Sequence, residues 1–190
     1  MKKFFWVIRG LVYKFYFGSF GFPSYIGKPL IIKKSRKIFI GKRVRIYPGV
    51  RLEVVSNNSA IVIRDNVSIG NNLHVVSNDD KLVINKDVTI SANVFITNTE
   101  HNYQDISVHI MEQKLINKKT VIGENCFIGY GAVIQAGTIL GKQCIVGANS
   151  VVRGDFPSYS VIVGAPARIV KRFNVETKKW QKTNSDGSFI

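Results

Sequence analysis

The stretch from Ile122 to Phe156, IGENCFIGYGAVIQAGTILGKQCIVGANSVVRGDF, repeats an aliphatic residue at every sixth position. That column contains Ile122, Ile128, Ile134, Leu140, Val146 and Val152. A second column lies four residues further on, and its first five members are small: Cys126, Ala132, Thr138, Cys144, Ser150 and Phe156. Helices repeat near 3.6 residues and strands at 2, so neither explains a period of six. The period predicts a solenoid in which each hexad supplies one short strand and a corner.

The same period extends toward the N-terminus. Pairs of hexads begin at Ile40, Ile63 and Ile84, and the pattern is interrupted most widely at residues 97–120. Gly, Asn and Asp crowd the expected corners, where positive φ is often needed. The sequence therefore predicts an aromatic and basic segment over 1–37, a β-solenoid domain over 38–172 with a protruding loop near 97–120, and a loose polar tail over 173–190.

The composition limits the possible classes of protein. A chain of 190 residues is long enough for one domain with its own core. A hydrophobic content of 45% argues against disorder for most of the chain. The formal net charge is +15, from 27 basic and 12 acidic residues. This excess favours an anionic partner, which could be a nucleic acid, a membrane surface or a phosphate-bearing ligand.

The first 22 residues, MKKFFWVIRGLVYKFYFGSFGF, begin like a signal peptide. Arg9 and Lys14 interrupt the apolar run, and no small-residue cleavage site follows. The uncharged stretches are also far shorter than the roughly 20 apolar residues that a membrane span needs. We therefore expect a cytoplasmic protein. The segment predicts a helix that ends near Phe20, ahead of Pro23, and that either caps the solenoid or contacts an anionic membrane surface. One segment can do both.

The two cysteines, Cys126 and Cys144, are 18 residues apart. Three hexads make 18 residues, so the period places both thiols in one column on adjacent turns, roughly 4.8 Å apart. A disulfide is geometrically feasible, but two small buried thiols in a reducing compartment are the favoured interpretation. No Cys/His cluster has the spacing of a zinc site, so no metal is predicted.

Three local motifs carry a resemblance to a known family. Thr97–Asp105, TNTEHNYQD, resembles a loop that holds a catalytic histidine, and Cys126–Ser150 resembles the coils that line a coenzyme A groove. Val163–Arg168, VGAPAR, resembles a terminal G-x-P-x-R motif. Together they identify a resemblance to the hexapeptide-repeat acyltransferases, and within them to the sugar and polysaccharide O-acetyltransferases. The resemblance covers about residues 38–170.

The resemblance implies an all-β fold, a left-handed parallel β-helix, which departs from the usual right-handed crossover. It implies homotrimers with the acyl donor, acetyl-CoA, bound between neighbouring prisms. The implied acceptor is a sugar hydroxyl of a cell-surface polysaccharide or its precursor, such as O-antigen, capsule or exopolysaccharide. Such glycans are often assembled on lipid carriers at the inner face of the membrane. A cationic, aromatic N-terminal segment suits a peripheral enzyme at that surface.

The same resemblance suggests the site residues. His101 is expected to take the proton of the attacking hydroxyl, because a histidine pKa lies near neutrality. Asp105 is the preferred group to orient its ring, with Glu100 as the alternative. The matched donor-binding positions are Tyr130, Ala148, Arg153, Gly154, Arg168 and Lys171. Ala148 would act through its backbone, and Arg168 and Lys171 through phosphate contacts. His74 is expected at the surface, with acceptor contact as the alternative.

Four other functions remain open from the sequence. An N-acyltransferase acting on an amino sugar is the nearest, although such relatives usually carry an extra nucleotide-binding domain for which residues 1–37 are too short. A γ-type carbonic anhydrase would need His74, His101 and His109 to converge on one zinc ion at about 2.0–2.1 Å. The basic stretch over 33–45 suggests a nucleic-acid-binding module, for which no recognition motif is present. A non-catalytic scaffold is the fourth.

Overall fold

The computed structural model describes the backbone of residues 2–190 and the side chains of residues 4–190. Helix α1 (Lys2–Tyr13) is followed by four coils of three strands. These strands are β1 (Ser19–Phe20), β2 (Tyr25–Ile26), β3 (Ile31–Lys33), β4 (Ile38–Ile40), β5 (Arg45–Ile46), β6 (Arg51–Val54), β7 (Ala60–Ile63), β8 (Ser68–Ile69), β9 (His74–Ser77), β10 (Lys81–Ile84), β11 (Thr89–Ile90) and β12 (Phe95–Thr97). A 3₁₀ turn, Ser35–Lys37, joins the first two coils.

An antiparallel hairpin, β13 (Thr99–His101) and β14 (Leu115–Asn117), interrupts the solenoid after the fourth coil and contains a 3₁₀ turn at Ile110–Glu112. The coils then resume. The remaining strands are β15 (Val121–Ile122), β16 (Phe127–Ile128), β17 (Val133–Ile134), β18 (Ile139–Leu140), β19 (Ile145–Val146), β20 (Val151–Val152), β21 (Asp155–Phe156), β22 (Ser160–Gly164), β23 (Ala167–Asn174) and β24 (Lys179–Lys182). No helix of the described residues is both long and apolar enough to cross a membrane.

The strands stack in parallel into the three faces of a prism. Face 1 has the order β1-β4-β7-β10-β15-β18-β21, face 2 has β2-β5-β8-β11-β16-β19-β22, and face 3 has β3-β6-β9-β12-β17-β20. The regular repeat sets the register, because residues 18 apart pair directly: Phe127 with Ile145, and Val133 with Val151. The predicted parallel β-helix with a short N-terminal helix is confirmed.

The core of the prism consists of the two predicted columns. All six members of the aliphatic column, from Ile122 to Val152, are buried. All six of the second column are buried as well, including Thr138 and Ser150, whose hydroxyl groups bond to backbone atoms. Each coil covers the apolar side chains of the next, so the burial that stabilises the fold accumulates coil by coil.

The corners explain the crowding of Gly, Asn and Asp. Asn66, Asp87 and Asn125 occupy one stacked corner with φ of 58°, 63° and 57°, a conformation that Asn and Asp tolerate better than most side chains. Gly129 has a different role, because a Cβ atom there would lie 2.6 Å from the backbone nitrogen of Ala148 in the next coil. The coils approach too closely at that point for any side chain.

The two cysteines lie as the period predicts. Cys126 and Cys144 are buried free thiols on adjacent coils. Each donates to a backbone carbonyl, Cys126 to Gly141 at 3.2 Å and Cys144 to Pro157 at 3.3 Å. The contact with Cys144, together with burial, raises the pKa of Cys126. These thiols therefore act as small core side chains.

The N-terminal boundary of the solenoid was predicted wrongly. The helix ends at Tyr13 rather than near Phe20, and a complete first coil occupies residues 19–33, inside the segment assigned to the leader. Phe20, Ile26 and Ile32 stand six residues apart and turn toward the core. Pro23 and Pro29 occupy corners of that coil, whereas Pro23 was interpreted from the sequence only as a signal that ends a helix.

The C-terminal prediction was also wrong in part. Residues 173–190 are polar as expected, but they are not a loose tail. After β22 the chain reverses, so β23 runs antiparallel to β22, and β24 runs antiparallel to β23 on the same edge of face 2. Phe173 packs against Trp180 and Tyr159 across these strands. The added strands cover the open edge that a parallel stack would otherwise present.

Candidate active site

The interruption at residues 98–118, called the arm from here on, leaves the corner between faces 3 and 1. An amide network fixes its base: Asn98, fully buried, donates to and accepts from the backbone of Asn78, at 3.1 and 2.8 Å. The Asn78 side chain in turn donates to Asn117 at 2.9 Å. Because Asn98 and Asn117 lie at the two ends of the arm, this network sets the point at which both strands leave the prism.

His101 closes the outer end of strand β13, and its Cα is paired with that of Leu115. Its side chain is exposed, as are those of most residues beyond it. The outer part of the arm is held by Gln113, whose amide donates to the carbonyls of Asp105 and Val108, both at 3.0 Å. The predicted loop is therefore an ordered hairpin that holds an accessible imidazole away from the wall of the prism.

Glu100 forms the bridge between the arm and the coils above it. Its carboxylate lies 3.3 Å from both terminal nitrogens of Arg153 and 3.9 Å from Nζ of Lys118. Among the described side chains, neither Glu100 nor Asp105 makes a hydrogen bond to the His101 ring. The structure thus brings two predicted site residues together, Glu100 and Arg153, and gives Glu100 a partner other than the histidine. His101 is the next residue of the same strand, where successive side chains point to opposite sides.

The other predicted donor residues gather at the next corner, between faces 2 and 3. Tyr130 and Ala148 occupy this corner in successive coils, and both are exposed. The Tyr130 hydroxyl accepts a hydrogen bond from Asn93 at 2.5 Å. Arg168 pairs with Val163, whose side chain lies against the same corner at Gly147. Lys171 pairs with Val161, further along face 2.

The predicted site is consequently divided between two corners of one chain. Arg153 and Gly154 stand with the arm, and Tyr130, Ala148 and Arg168 stand across face 3. Arg153 is five positions after Ala148, which corresponds to about 17 Å of extended chain. A small acyl group cannot contact both corners of the same prism, although a long coenzyme or a second prism can connect them.

The sequence analysis missed a buried carboxylate on the outside of face 3. Glu53 accepts from Lys33 at 2.7 Å, from Arg51 at 3.0 Å and from His74 at 3.0 Å. The hydrogen bond from Lys33 lowers the pKa of Glu53, with help from Arg51 and His74 and against the effect of burial. The available signal was the register of the coils, which places outward residues 51, 74 and 95 in one column.

His74 is half-buried in that cluster rather than a free surface residue. Its ring stacks beside Phe95 with centroids 5.0 Å apart. Burial lowers the pKa of His74, and the nearby Arg51 charge adds to this, while the Glu53 carboxylate opposes it. The third histidine, His109, accepts a backbone hydrogen bond from Met111 at 3.3 Å within the arm. Within residues 2–190, no group of three or more His, Cys, Asp or Glu side chains is arranged to hold a metal ion.

Comparison with known proteins gives two kinds of match. The family model for "Bacterial transferase hexapeptide (six repeats)" matches residues 119–154. The chain is also 34% identical over 161 residues to the "Putative lipopolysaccharide biosynthesis O-acetyl transferase WbbJ" of Escherichia coli K12, covering 81% of each chain.

Two solved structures share the fold at lower identity. AntD, an N-acyltransferase from Bacillus cereus solved with dTDP and 3-hydroxybutyryl-CoA, is 18% identical with a TM-score of 0.75, over 89% of this chain and 90% of that one. A maltose O-acetyltransferase from Clostridium difficile 630 is 22% identical with a TM-score of 0.57, over 87% and 75%. The repeat, the left-handed β-helix and the similarity over 81% of the chain together place this chain in the hexapeptide-repeat acyltransferase family, as a member related to the lipopolysaccharide O-acetyltransferases.

Proposed function

We propose that this protein transfers an acetyl group from acetyl-CoA to a hydroxyl of a cell-surface polysaccharide precursor. The observation that carries the proposal is the ordered arm, which exposes His101 at the end of β13, next in the chain to the Glu100 that pairs with Arg153. Support for the donor comes from AntD, which was solved with an acyl-coenzyme A. Support for the acceptor comes from the 34% identity to a protein named for lipopolysaccharide O-acetylation.

In the proposed reaction a ring nitrogen of His101 accepts the proton of the sugar hydroxyl as its oxygen attacks the thioester carbonyl carbon. The carbonyl π electrons move to oxygen, and backbone N–H groups are the usual stabilisers of such an oxyanion. When the oxyanion collapses, the C–S bond breaks and the thiolate takes the proton from the imidazolium. The products are the acetyl ester and free coenzyme A, and His101 returns to its neutral form.

The group that orients the His101 ring is proposed to be Asp105. Glu100 already shares its carboxylate between Arg153 and Lys118, so we expect it to position the arm instead. Asp105→Asn should then lower kcat strongly and change its pH profile. Glu100→Gln should act mainly on KM, with a smaller loss that Arg153→Ala reproduces. A pH profile that changes with Glu100→Gln and stays unchanged with Asp105→Asn would reverse the two roles.

Two observations support a homotrimer with the site between copies. The predicted residues stand at two corners too far apart for one acyl group. The arm also exposes large apolar side chains in the single chain, with Tyr103 74%, Ile106 100% and Met111 69% accessible. A neighbouring copy would cover such side chains. We expect Ile106→Ser to weaken the oligomer in analytical ultracentrifugation, while Val175→Ser, an exposed change outside the arm, leaves it intact.

Co-expression provides the sharper test of a shared site. A chain with His101→Ala lacks only the proposed proton acceptor on the arm. A chain with Arg168→Ala lacks only the proposed phosphate contact at the corner between faces 2 and 3. If one site takes residues from two copies, mixed oligomers of these two impaired chains contain some intact sites. At acetyl-CoA concentrations well below the raised KM of the Arg168→Ala chain, they should be more active than either parent. Oligomers with no more activity than the two parents mixed after purification would contradict the shared site.

Acetyl transfer itself is tested with radiolabelled acetyl-CoA against free and lipid-linked glycans. The wild-type protein is expected to label a hydroxyl, and the product ester should be released by mild base. His101→Ala is expected to abolish the label, and His109→Ala, a change on the same arm, to retain it. Turnover by His101→Ala within a few-fold of wild type would refute the assignment.

An N-acyltransferase acting on an amino sugar is the second candidate, favoured by the TM-score of 0.75 to AntD. This chain covers 90% of AntD, so an N-acyltransferase of this fold can have nearly this length. The shortness of residues 1–37 therefore does not exclude an N-acyltransferase. The two candidates differ in the product bond. An amide resists the mild base that cleaves an ester, so the same assay run with amino and hydroxyl sugars separates them.

We also propose that the enzyme works at the cytoplasmic face of a membrane, where lipid-linked precursors would be available. The N-terminal helix and the basic residues around it support this location.

A further inference from the structure

Helix α1 has two apolar faces, and only one is used by the fold. The inner face packs on the first coil: Trp6 contacts Tyr25 and Tyr47, with ring centroids 5.9 and 5.6 Å apart, and Gly10 is buried against the Phe20 ring. Arg9 donates to the carbonyl of Ile26 at 3.1 Å, on the outermost strand of face 2. The helix therefore covers the N-terminal end of the prism, as a cap must.

The outer face is a continuous apolar stripe. Five of its members recur at intervals of three, four and seven residues, which places them on one side of α1, and the sixth, Phe15, lies in the turn just beyond Tyr13. They are Phe4, Phe5, Ile8, Leu11, Val12 and Phe15. All six are exposed, from 42% at Ile8 to 72% at Phe15. A cap alone would carry polar residues on this side, so this stripe (the outer stripe) points to a second partner.

The charge around the outer stripe identifies the kind of partner. The first fifty residues contain twelve Lys or Arg and no Asp or Glu. Lys14 lines one hollow with Leu11 and Phe22, both of them exposed, and another hollow with Lys42. Lys14 therefore lies beside exposed apolar side chains, and Lys42 lies near Lys14 in a hollow that Asp65 also lines. An apolar strip flanked by Lys and Arg is the arrangement that inserts into an anionic bilayer surface.

The same positive charge argues against two other partners for the outer stripe, a second copy of the chain and a nucleic acid. In a symmetric contact through the outer stripe, two copies would bring like charges together with no acidic residue from the first fifty to pair them. A nucleic acid would use the cations, but it offers no partner for Ile8, Leu11 and Val12, because phosphate backbones contact polar and charged groups. A bilayer with anionic headgroups satisfies both the apolar and the charged residues.

We infer that the outer stripe inserts into the headgroup region of an anionic membrane and holds the prism with its N-terminal end against the bilayer. The arm leaves the fourth coil, three coils above the first, so it would stand about 14 Å higher at the usual strand spacing. This inference extends the proposed function by defining its acceptor as a glycan still attached to a lipid carrier. A sugar some distance beyond the carrier headgroup would then meet the arm.

Vesicle flotation tests the docking without any activity measurement. The full chain should float with vesicles of phosphatidylglycerol and phosphatidylethanolamine and much less with phosphatidylcholine alone. Phe4→Ser/Phe15→Ser should lower the bound fraction at least about tenfold. Its matched control is Val175→Ser/Ile190→Ser, which changes two side chains of similar exposure far from the helix. Thermal unfolding of each variant verifies that the cap is intact.

Charge reversal gives the second arm of the test. Lys14→Glu/Lys42→Glu should release the protein from anionic vesicles, and Lys179→Glu/Lys182→Glu, with the same net change, should not. Undiminished flotation of the stripe variant, or equal binding to neutral and anionic vesicles, would overturn the proposal. So would a stripe variant that loses an oligomer in solution and still floats, because the partner would then be a second copy.

These results separate the docking from the catalysis. If the stripe variant acetylates free glycans like wild type and loses activity only on lipid-linked glycans in vesicles, both proposals hold. If wild type floats but transfers no acetyl group, the docking stands and the proposed reaction fails. If wild type acetylates both substrates equally and does not float, the docking fails alone.

Discussion

The wall of the prism and the arm are built on opposite principles. In the wall, side chains such as Ile69 and Ile128 are fully buried, and each coil repeats the contacts of the one before it. In the arm, His101 and most residues beyond it are exposed, and order comes from a few polar bonds at the base and at Gln113. The wall therefore determines stability, and the arm can change its side chains without endangering the fold.

The strongest test of this division is His101→Ala. If the arm carries the chemistry, the loss of its proton acceptor should reduce kcat by about 10²–10⁴-fold. The melting temperature should stay within error of wild type, because none of the described residues makes a hydrogen bond to the ring. The measurements are initial rates with acetyl-CoA and a thermal unfolding curve. A variant that melts much earlier would show that the arm also supports the wall.

The converse change is Ile69→Ala, in the wall and distant from the arm. Removal of a fully buried aliphatic side chain should lower the free energy of unfolding by about 2–5 kcal/mol. The activity per folded molecule should stay close to wild type. Urea unfolding at a fixed protein concentration measures the effect, with Ile190→Ala, which removes an exposed side chain, as the control. If Ile69→Ala and Ile190→Ala lose equal free energy of unfolding, the buried columns do not determine the stability of the fold.

A third change tests the terminal strands, which belong neither to the repeating wall nor to the arm. Arg168→Ala removes a proposed phosphate contact beside Ala148, and charged hydrogen bonds contribute about 1.5–3 kcal/mol. We therefore expect the KM for acetyl-CoA to rise about 10- to 100-fold with little change in the acceptor KM. Lys179→Ala, on the neighbouring strand, serves as the control. An unchanged donor KM would move the coenzyme away from this corner.

The wall could be predicted from the sequence, and the contacts of the arm could not, for a physical reason. A period of six specifies which residue lies above which, so the columns and the positive-φ corners follow directly. The first coil was missed because Pro23 and Pro29 obscure the spacing of Phe20, Ile26 and Ile32. The pair Glu100–Arg153 joins residues 53 apart across an insertion that breaks the phase, so no repeat places them together.

The smallest expected effect concerns the pH dependence of stability that comes from Glu53 and His74, two titratable side chains on the outside of face 3. At Glu53 the pKa is lowered from 4.5, so the carboxylate stabilises the fold above that pH and the contribution is lost as the pH falls through its folded pKa. Burial lowers the pKa of His74 from 6.5, so below that pH the unfolded chain binds more protons and the fold loses stability. Both groups therefore make the protein less stable in acid. As the pH falls, the loss of stability from His74 begins at a higher pH than the loss from Glu53.

His74→Gln separates the two contributions. The variant keeps a hydrogen-bond donor for Glu53 and removes the titrating ring, so unfolding free energy should fall less between pH 7 and pH 5 than in wild type. Below the folded pKa of His74 the two curves should become parallel, because Glu53 remains in both. The exposed His109→Gln should follow wild type throughout. Identical slopes for wild type and His74→Gln between pH 7 and pH 5 would mean that the ring titrates alike in the folded and unfolded chains, and that the cluster on face 3 does not respond to pH in this range.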